Sequence, residues 1–184
     1  MKLVILDRDG VINQDSDDYI KSEEEWIPLP GSIEAIARLC RAGFKVAVAT
    51  NQSGLGRGYF SIADLDAMHA KLRRLVAEAG GQIDSIHFCP HKPEDGCSCR
   101  KPKPELLDAI SSELGVGLEG TPLVGDSLRD LEAGLARGCT PILVRTGKGR
   151  ATEAKLAVLA PPLKYANVFD DLAAAADFLI DTHP

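Results

Sequence analysis

Lys2-Leu3-Val4-Ile5-Leu6-Asp7-Arg8-Asp9-Gly10-Val11 is the stretch on which the fold turns. Leu3 to Leu6 are apolar without a break, which suits a short strand buried on both faces. Two carboxylates, Asp7 and Asp9, fall where that strand would end, and Gly10 lets the chain turn away. Strands buried on both faces belong to parallel sheets covered by helices on both sides. Ligands in such sheets sit beyond the carboxyl ends of the strands. Asp7 and Asp9 are therefore placed for chemistry.

The pattern repeats outward from this strand. Lys45–Ala49, Ser85–Phe88, Pro122–Gly125 and Pro141–Val144 read as four further strands. Between them, Ile33, Ile36, Ala37 and Cys40 recur at helical spacing, which predicts a helix over 31–42 ending at Gly43. Ser61, with Asp64 three residues on, caps a helix whose inner face is Leu65, Met68, Leu72 and Val76. Pro104 suits the first turn of a helix carrying Leu107, Ile110 and Leu114. Leu128, Leu131 and Leu135 mark another, and Leu172, Ala175, Ala176 and Leu179 a last one. Segments 11–30, 54–60, 89–103 and 146–165 read as the least regular. The expected fold is α/β: a three-layer, doubly wound parallel sheet in one domain spanning 1–184.

Composition narrows the partners. The 184 residues are 45% hydrophobic, enough for one substantial core. No apolar run is long enough to span a bilayer, and the stretch before Asp7 is too short for a signal peptide. A cytoplasmic monomer without a membrane partner is expected. The net charge of −6 argues against nucleic acid as a partner. The five cysteines are an odd number, and three crowd into 89–99, which reads as metal binding and not as disulfides.

Four polar motifs follow predicted strands. Asp7-Arg8-Asp9-Gly10 crowds two carboxylates that repel unless a cation or shared proton relieves them, and Mg²⁺ favours such oxygen ligands. A calcium loop is the other reading of this spacing, but Asp18 stands where its bidentate Glu belongs. Thr50-Asn51-Gln52-Ser53-Gly54 offers a hydroxyl and backbone N–H groups to an anion. Arg100-Lys101-Pro102-Lys103-Pro104 brings positive charge to a helix entrance, although basic runs are commonly just solvated. Gly125-Asp126-Ser127-Leu128-Arg129-Asp130 puts a carboxylate at a strand end and another one helical turn later; each alone fits a helix-start acid. Separately, Cys89-Pro90-His91 and Cys97-Ser98-Cys99 supply three thiols and an imidazole, a tetrahedral set suited to structural Zn²⁺ with no open position. Cys40 and Cys139 read as core cysteines, and Trp26 as closing the edge of the core.

In this order the four motifs resemble the haloacid dehalogenase superfamily of phosphotransferases, over essentially the whole chain. The resemblance implies the Rossmann-like fold of that superfamily. It also implies that Asp7 is the nucleophile, forming an aspartyl phosphate, and that Asp9 is the general acid and base. Thr50 and Lys101 would stabilise the phosphoryl group, and Mg²⁺ would be held by Asp7, Asp126 and the backbone carbonyl of Asp9. Only about 40 residues separate Asp9 from Thr50, and a core helix takes a dozen, so no cap domain fits there. The other usual insertion point holds only the zinc loop, 89–101.

Asp-x-Asp-Gly-Val-Ile-Asn, Thr-Asn-Gln-Ser-Gly-x-x-Arg-Gly and the Cys/His pairs followed by Arg-Lys-Pro resemble the branch that acts on sugar bisphosphates. That implies a phosphorylated sugar substrate and a role in making an activated heptose for lipopolysaccharide inner core or surface glycan. Asn51, Gln52, Ser53, Arg100 and the 11–20 loop would contact it. Histidinol-phosphate phosphatases share the aspartates and a similar zinc loop, and Asp15, Asp17 and Asp18 keep a cationic substrate open. A polynucleotide phosphatase lacks support in the acidic balance. A catalytically inactive, zinc-stabilised binding protein would require a missing catalytic group, and none is missing.

Overall fold

Alternate residues of each central strand enter opposite layers. In the computed structural model, which describes residues 1–184, β1 (Lys2–Leu6) sends Val4 and Leu6 to one side and Leu3 and Ile5 to the other. β2 (Phe44–Asn51) divides in the same way, with Val46 and Val48 against Ala47 and Ala49. With β3 (Ser85–Cys89), β4 (Pro122–Gly125), β5 (Thr140–Val144) and β6 (Asn167–Phe169) they form a six-stranded sheet in the order β3-β2-β1-β4-β5-β6. Every neighbouring pair is parallel, with Leu3 opposite Lys45 and Ile5 opposite Leu123.

α1 (Ser32–Arg41), α3 (Ile62–Glu78) and α7 (Leu172–Thr182) cover one face, through Ile36 and Leu39, Leu65, Met68 and Leu72, and Leu172 and Leu179. α4 (Glu105–Leu114), α5 (Leu128–Leu135) and α6 (Gly149–Leu156) cover the other, through Leu107 and Ile110, Leu131 and Ala133, and Leu156. The single turn α2 (Ser53–Gly56) leaves the end of β2. The expected cap starts α3: Ser61 Oγ accepts from the Asp64 N–H at 3.1 Å, and the Asp64 carboxylate accepts from the Ser61 N–H at 2.8 Å. Trp26 is fully buried in the core as expected. Cys139 is buried too, whereas Cys40 is only half-buried, at the core's edge, where its thiol meets the Gln82 carbonyl.

Three elements depart from the sequence expectation: α2, α6 and β6. α6 lies inside the segment read as irregular, and it buries only Gly149, Thr152 and Leu156. β6 is a three-residue edge strand with no buried position, so no apolar run announces it. The connections β1–β2 and β3–β4 carry α1 and α4 with their loops, and no cap domain. No helix is long and apolar enough to cross a membrane. The chain leaves β1 for β2 on one side, and β4 lies on the other, so the strand order reverses at β1. The crevice beyond the carboxyl ends of β1 and β4 is where such a sheet takes its ligand.

Candidate active site

That crevice gathers the carboxylates of Asp7, after β1, Asp126, after β4, and Asp130, in the first turn of α5. Ligand oxygens of the three lie within 4.8 Å of one another. Lys101 reaches in from the loop before α4. It is 3% exposed, and its ammonium donates to Asp130 Oδ1 at 2.6 Å, the Ala49 carbonyl at 2.6 Å and Asp7 Oδ1 at 3.1 Å. Burial works against the charge on Lys101, but Asp130 and Asp7 outweigh it and raise its pKa. Asp130 is itself fixed, accepting from the Ser127 N–H at 3.2 Å and hydroxyl at 2.9 Å. It therefore holds the lysine and caps α5 at once.

One ammonium does not balance three carboxylates. Burial, then the neighbouring Asp130, pushes Asp7 well above the usual carboxylate range. The same two causes bring Asp126 up to about 6. The donor set thus fits a hard divalent cation, which would relieve the repulsion. Glycine makes the approach possible: a Cβ on Gly10, whose φ is +84°, would lie 2.1 Å from Asp126 Oδ2, and one on Gly147 would lie 2.3 Å from it.

Asp9 stands apart from this cluster, in a cage of donors. Its Oδ1 accepts from Arg8 Nη2 at 2.8 Å, Arg8 Nε at 3.0 Å and Asn13 Nδ2 at 2.8 Å, and its Oδ2 from Gln52 Nε2 at 3.0 Å. Burial alone would raise its pKa, but the Arg8 charge and these hydrogen bonds bring it below the usual range. Arg8 is fully buried, and its Nη1 lies 3.3 Å from His69 Nε2. Burial and the Arg8 charge lower His69 to about 3, so the neutral imidazole accepts from the guanidinium.

The residues expected to meet substrate divide into two groups. Asn51 and Gln52 line the cavity but turn their amides inward. Asn51 accepts from the Lys101 N–H at 3.0 Å and donates to the Lys101 carbonyl at 3.2 Å, and Gln52 bridges Asp9 and Thr50 Oγ1. Thr50 is buried at the end of β2. Ser53 and Arg100 face the cavity, which has a volume of about 330 Å³. Arg57, Arg129 and Lys148 share that rim and received no role from the sequence: Arg57 and Arg129 stand inside motifs whose signal came from other residues, and Lys148 lies in a segment read as irregular. Asp130 had one, at the close of Gly-Asp-x-x-x-Asp, but its partner is 29 residues away in sequence.

Cys89, His91, Cys97 and Cys99 converge as a second cluster, their ligand atoms within 4.8 Å of one another. Burial and a hydrogen bond with Cys99 push the Cys89 thiol up to about 12, so a thiolate at Cys89 requires a cation. Three sulfurs and a ring nitrogen around one point fit Zn²⁺. The cluster closes the loop just before Arg100 and Lys101.

A HAD-hydrolase-like family profile matches residues 98–175. A D-glycero-β-D-manno-heptose-1,7-bisphosphate 7-phosphatase from Pseudomonas putida is 60% identical over 98% of this chain and 100% of its own. One from Bordetella bronchiseptica is 53% identical, over 98% of each chain. Among solved structures, the D,D-heptose 1,7-bisphosphate phosphatase of B. bronchiseptica, complexed with magnesium and phosphate, has a TM-score of 0.93 at 53% identity and covers 99% of each chain. The counterpart from Burkholderia thailandensis has a TM-score of 0.74 at 48% identity, over 97% of this chain and 99% of its own. Likeness of this extent, over a sheet whose carboxyl-end crevice gathers the aspartates and the lysine, makes the chain a member of the D-glycero-β-D-manno-heptose-1,7-bisphosphate 7-phosphatase family of HAD-like hydrolases.

Proposed function

We propose that the chain hydrolyses the 7-phosphate of D-glycero-D-manno-heptose 1,7-bisphosphate, a phosphoric monoester, through an aspartyl phosphate on Asp7. The observation that carries the chemistry is the contact of Lys101 with both Asp7 and Asp130: a buried cation is fixed against the carboxylate that attacks. The substrate rests on the family. The whole chain, 1–184, would act as one phosphatase domain, as a monomer in the cytoplasm, with loop 89–101 as its metal-bearing insertion.

Asp7, Asp126 and the backbone carbonyl of Asp9 would hold Mg²⁺. When bound, the ion supplies positive charge to the phosphoryl oxygens and to the crowded carboxylates. Asp7 attacks phosphorus, and the bond to the sugar oxygen breaks. Lys101 and Thr50 would stabilise the charge on the equatorial oxygens as this happens. Asp9 gives the leaving oxygen its proton. Caged by Arg8, Asn13 and Gln52, it rests ionised, so the proton arrives with the substrate, whose phosphate monoester has a second pKa of about 6. The ionised Asp9 then takes a proton from the water that releases phosphate from Asp7. Cys89, His91, Cys97 and Cys99 would hold Zn²⁺ as a closed structural site that fixes the loop delivering Lys101.

Asp9→Asn separates the two steps. Mass spectrometry of that variant after mixing with bisphosphate should find phosphate on the Asp7 peptide, because breakdown of the intermediate lacks its base. Turnover at the wild-type rate without the Asp9 carboxylate would remove it from this role.

A further inference from the structure

Two arginines face the mouth of the cavity without an anionic partner. The ion pairs of the protein take in Arg8, Arg38, Arg57, Arg74, Arg137 and Arg145, and of the five arginines they leave out only Arg100 and Arg129 line the active-site cavity. In a chain of net charge −6, acids to neutralise them are plentiful. Arg100 Nη1 is buried and has no hydrogen-bond partner, which is costly for a charged donor. Arg129 and Arg100 line both the active-site cavity and the shallower cleft beside the metal loop, so the two guanidiniums border one opening. Two like charges that border one opening repel.

Arg129 is also oddly placed on its own helix. It stands in the first turn of α5, two residues after the N-cap Ser127, where the helix dipole disfavours a cation. Local energetics therefore favour neither the position of Arg129 nor its pairing with Arg100. An anion between the two would remove both penalties. The opening lies on the solvent side of the carboxylate cluster, where the uncleaved end of a bisphosphate must emerge.

We infer that Arg129 is a specificity-determining residue, which with Arg100 clamps the retained phosphate of the substrate. This rests on the bisphosphate reading given above. The clamp is divided between two independent elements, the metal-pinned loop and the first turn of α5. The α5 half is held in register with the catalytic site through Asp130, the next residue, which binds Lys101. A substrate with one phosphate fills the catalytic end and leaves the guanidiniums unrelieved. The bisphosphate relieves them, and two planar forks suit the tetrahedral oxygens of a phosphate.

The test compares D-glycero-D-manno-heptose 1,7-bisphosphate with the 7-monophosphate of the same sugar, in wild type, Arg129→Gln and Arg129→Lys, with the thermal midpoint of each variant as the check on folding. Wild type should prefer the bisphosphate. Arg129→Gln should lower that preference by about ten- to a hundred-fold, through KM more than kcat, as loss of a charge-assisted contact does. Arg129→Lys should recover only part of it. An unchanged preference in Arg129→Gln would overturn the assignment of Arg129 and leave the phosphatase reading intact. A wild-type enzyme indifferent to the second phosphate would overturn both.

Discussion

Asp7 lies among like charges, and its two predicted effects therefore have opposite signs. Asp7→Asn should abolish turnover, because an amide does not attack phosphorus. The same change should raise the thermal midpoint of metal-free protein by a few degrees. Burial and Asp130 hold the Asp7 pKa well above the ordinary value, so at neutral pH its ionised form opposes folding. Lys101 keeps Asp130 and the Ala49 carbonyl after the substitution. A lower midpoint in chelator would show that the carboxylate is not strained there. His69 gives the complementary case. Its folded pKa of about 3 lies below the ordinary 6.5, so an unfolded chain takes up a proton that the folded chain refuses. The stability due to the neutral ring is complete above about pH 6.5 and is lost as pH falls toward 3. His69→Gln keeps an acceptor for Arg8 and should flatten the acid limb by about 1.4 kcal/mol per pH unit within that window. Urea titrations at pH 7 and pH 5 measure this, and parallel loss in both proteins would contradict it.

At the scale of elements, the loop between β3 and α4 matters most, because it carries Lys101 to the sheet from two anchors. One is the Cys89, His91, Cys97 and Cys99 cluster, and the other is the Asn51 amide, which pairs with both backbone groups of Lys101. Protein purified without chelator should hold one zinc per chain. Cys97→Ser should lower the thermal midpoint and cut kcat, and hydrogen exchange should rise across 89–103 while β1 and β4 stay protected. Absence of zinc by elemental analysis, or exchange unchanged in that loop, would refute a structural metal. The turn after β1 is the other stringent element. Gly10→Ala meets both a positive φ and the Asp126 carboxylate, so a loss of at least about 2 kcal/mol is expected, with weaker magnesium binding.

Across the whole molecule, what was legible in the sequence followed burial. Leu3–Leu6 and Lys45–Ala49 announced central strands because both of their faces are covered, and Leu65, Met68, Leu72 and Val76 announced α3 because only one of its faces is. β6 and α6 sit at the sheet's edge, bury little and therefore carried no pattern. Asp7, Asp9, Thr50 and Asp126 were readable as strand-end residues, whereas the Lys101–Asp130 pair and the inward turn of Asn51 and Gln52 depend on tertiary contacts between loops. Arg57, Arg129 and Lys148 became visible only when the rim closed around one cavity. That rim, open and lined by charges of both signs, has to distinguish a bisphosphate sugar from a cationic amino-alcohol phosphate. With magnesium present, kcat/KM for D-glycero-D-manno-heptose 1,7-bisphosphate and for histidinol phosphate, with the sugar product assigned by phosphorus NMR, tests this. The heptose bisphosphate should be preferred by at least about a hundred-fold, in line with two charge-assisted contacts, and should give only the 1-phosphate. Comparable efficiency on the two substrates, or release of the 1-phosphate instead, would contradict the assignment.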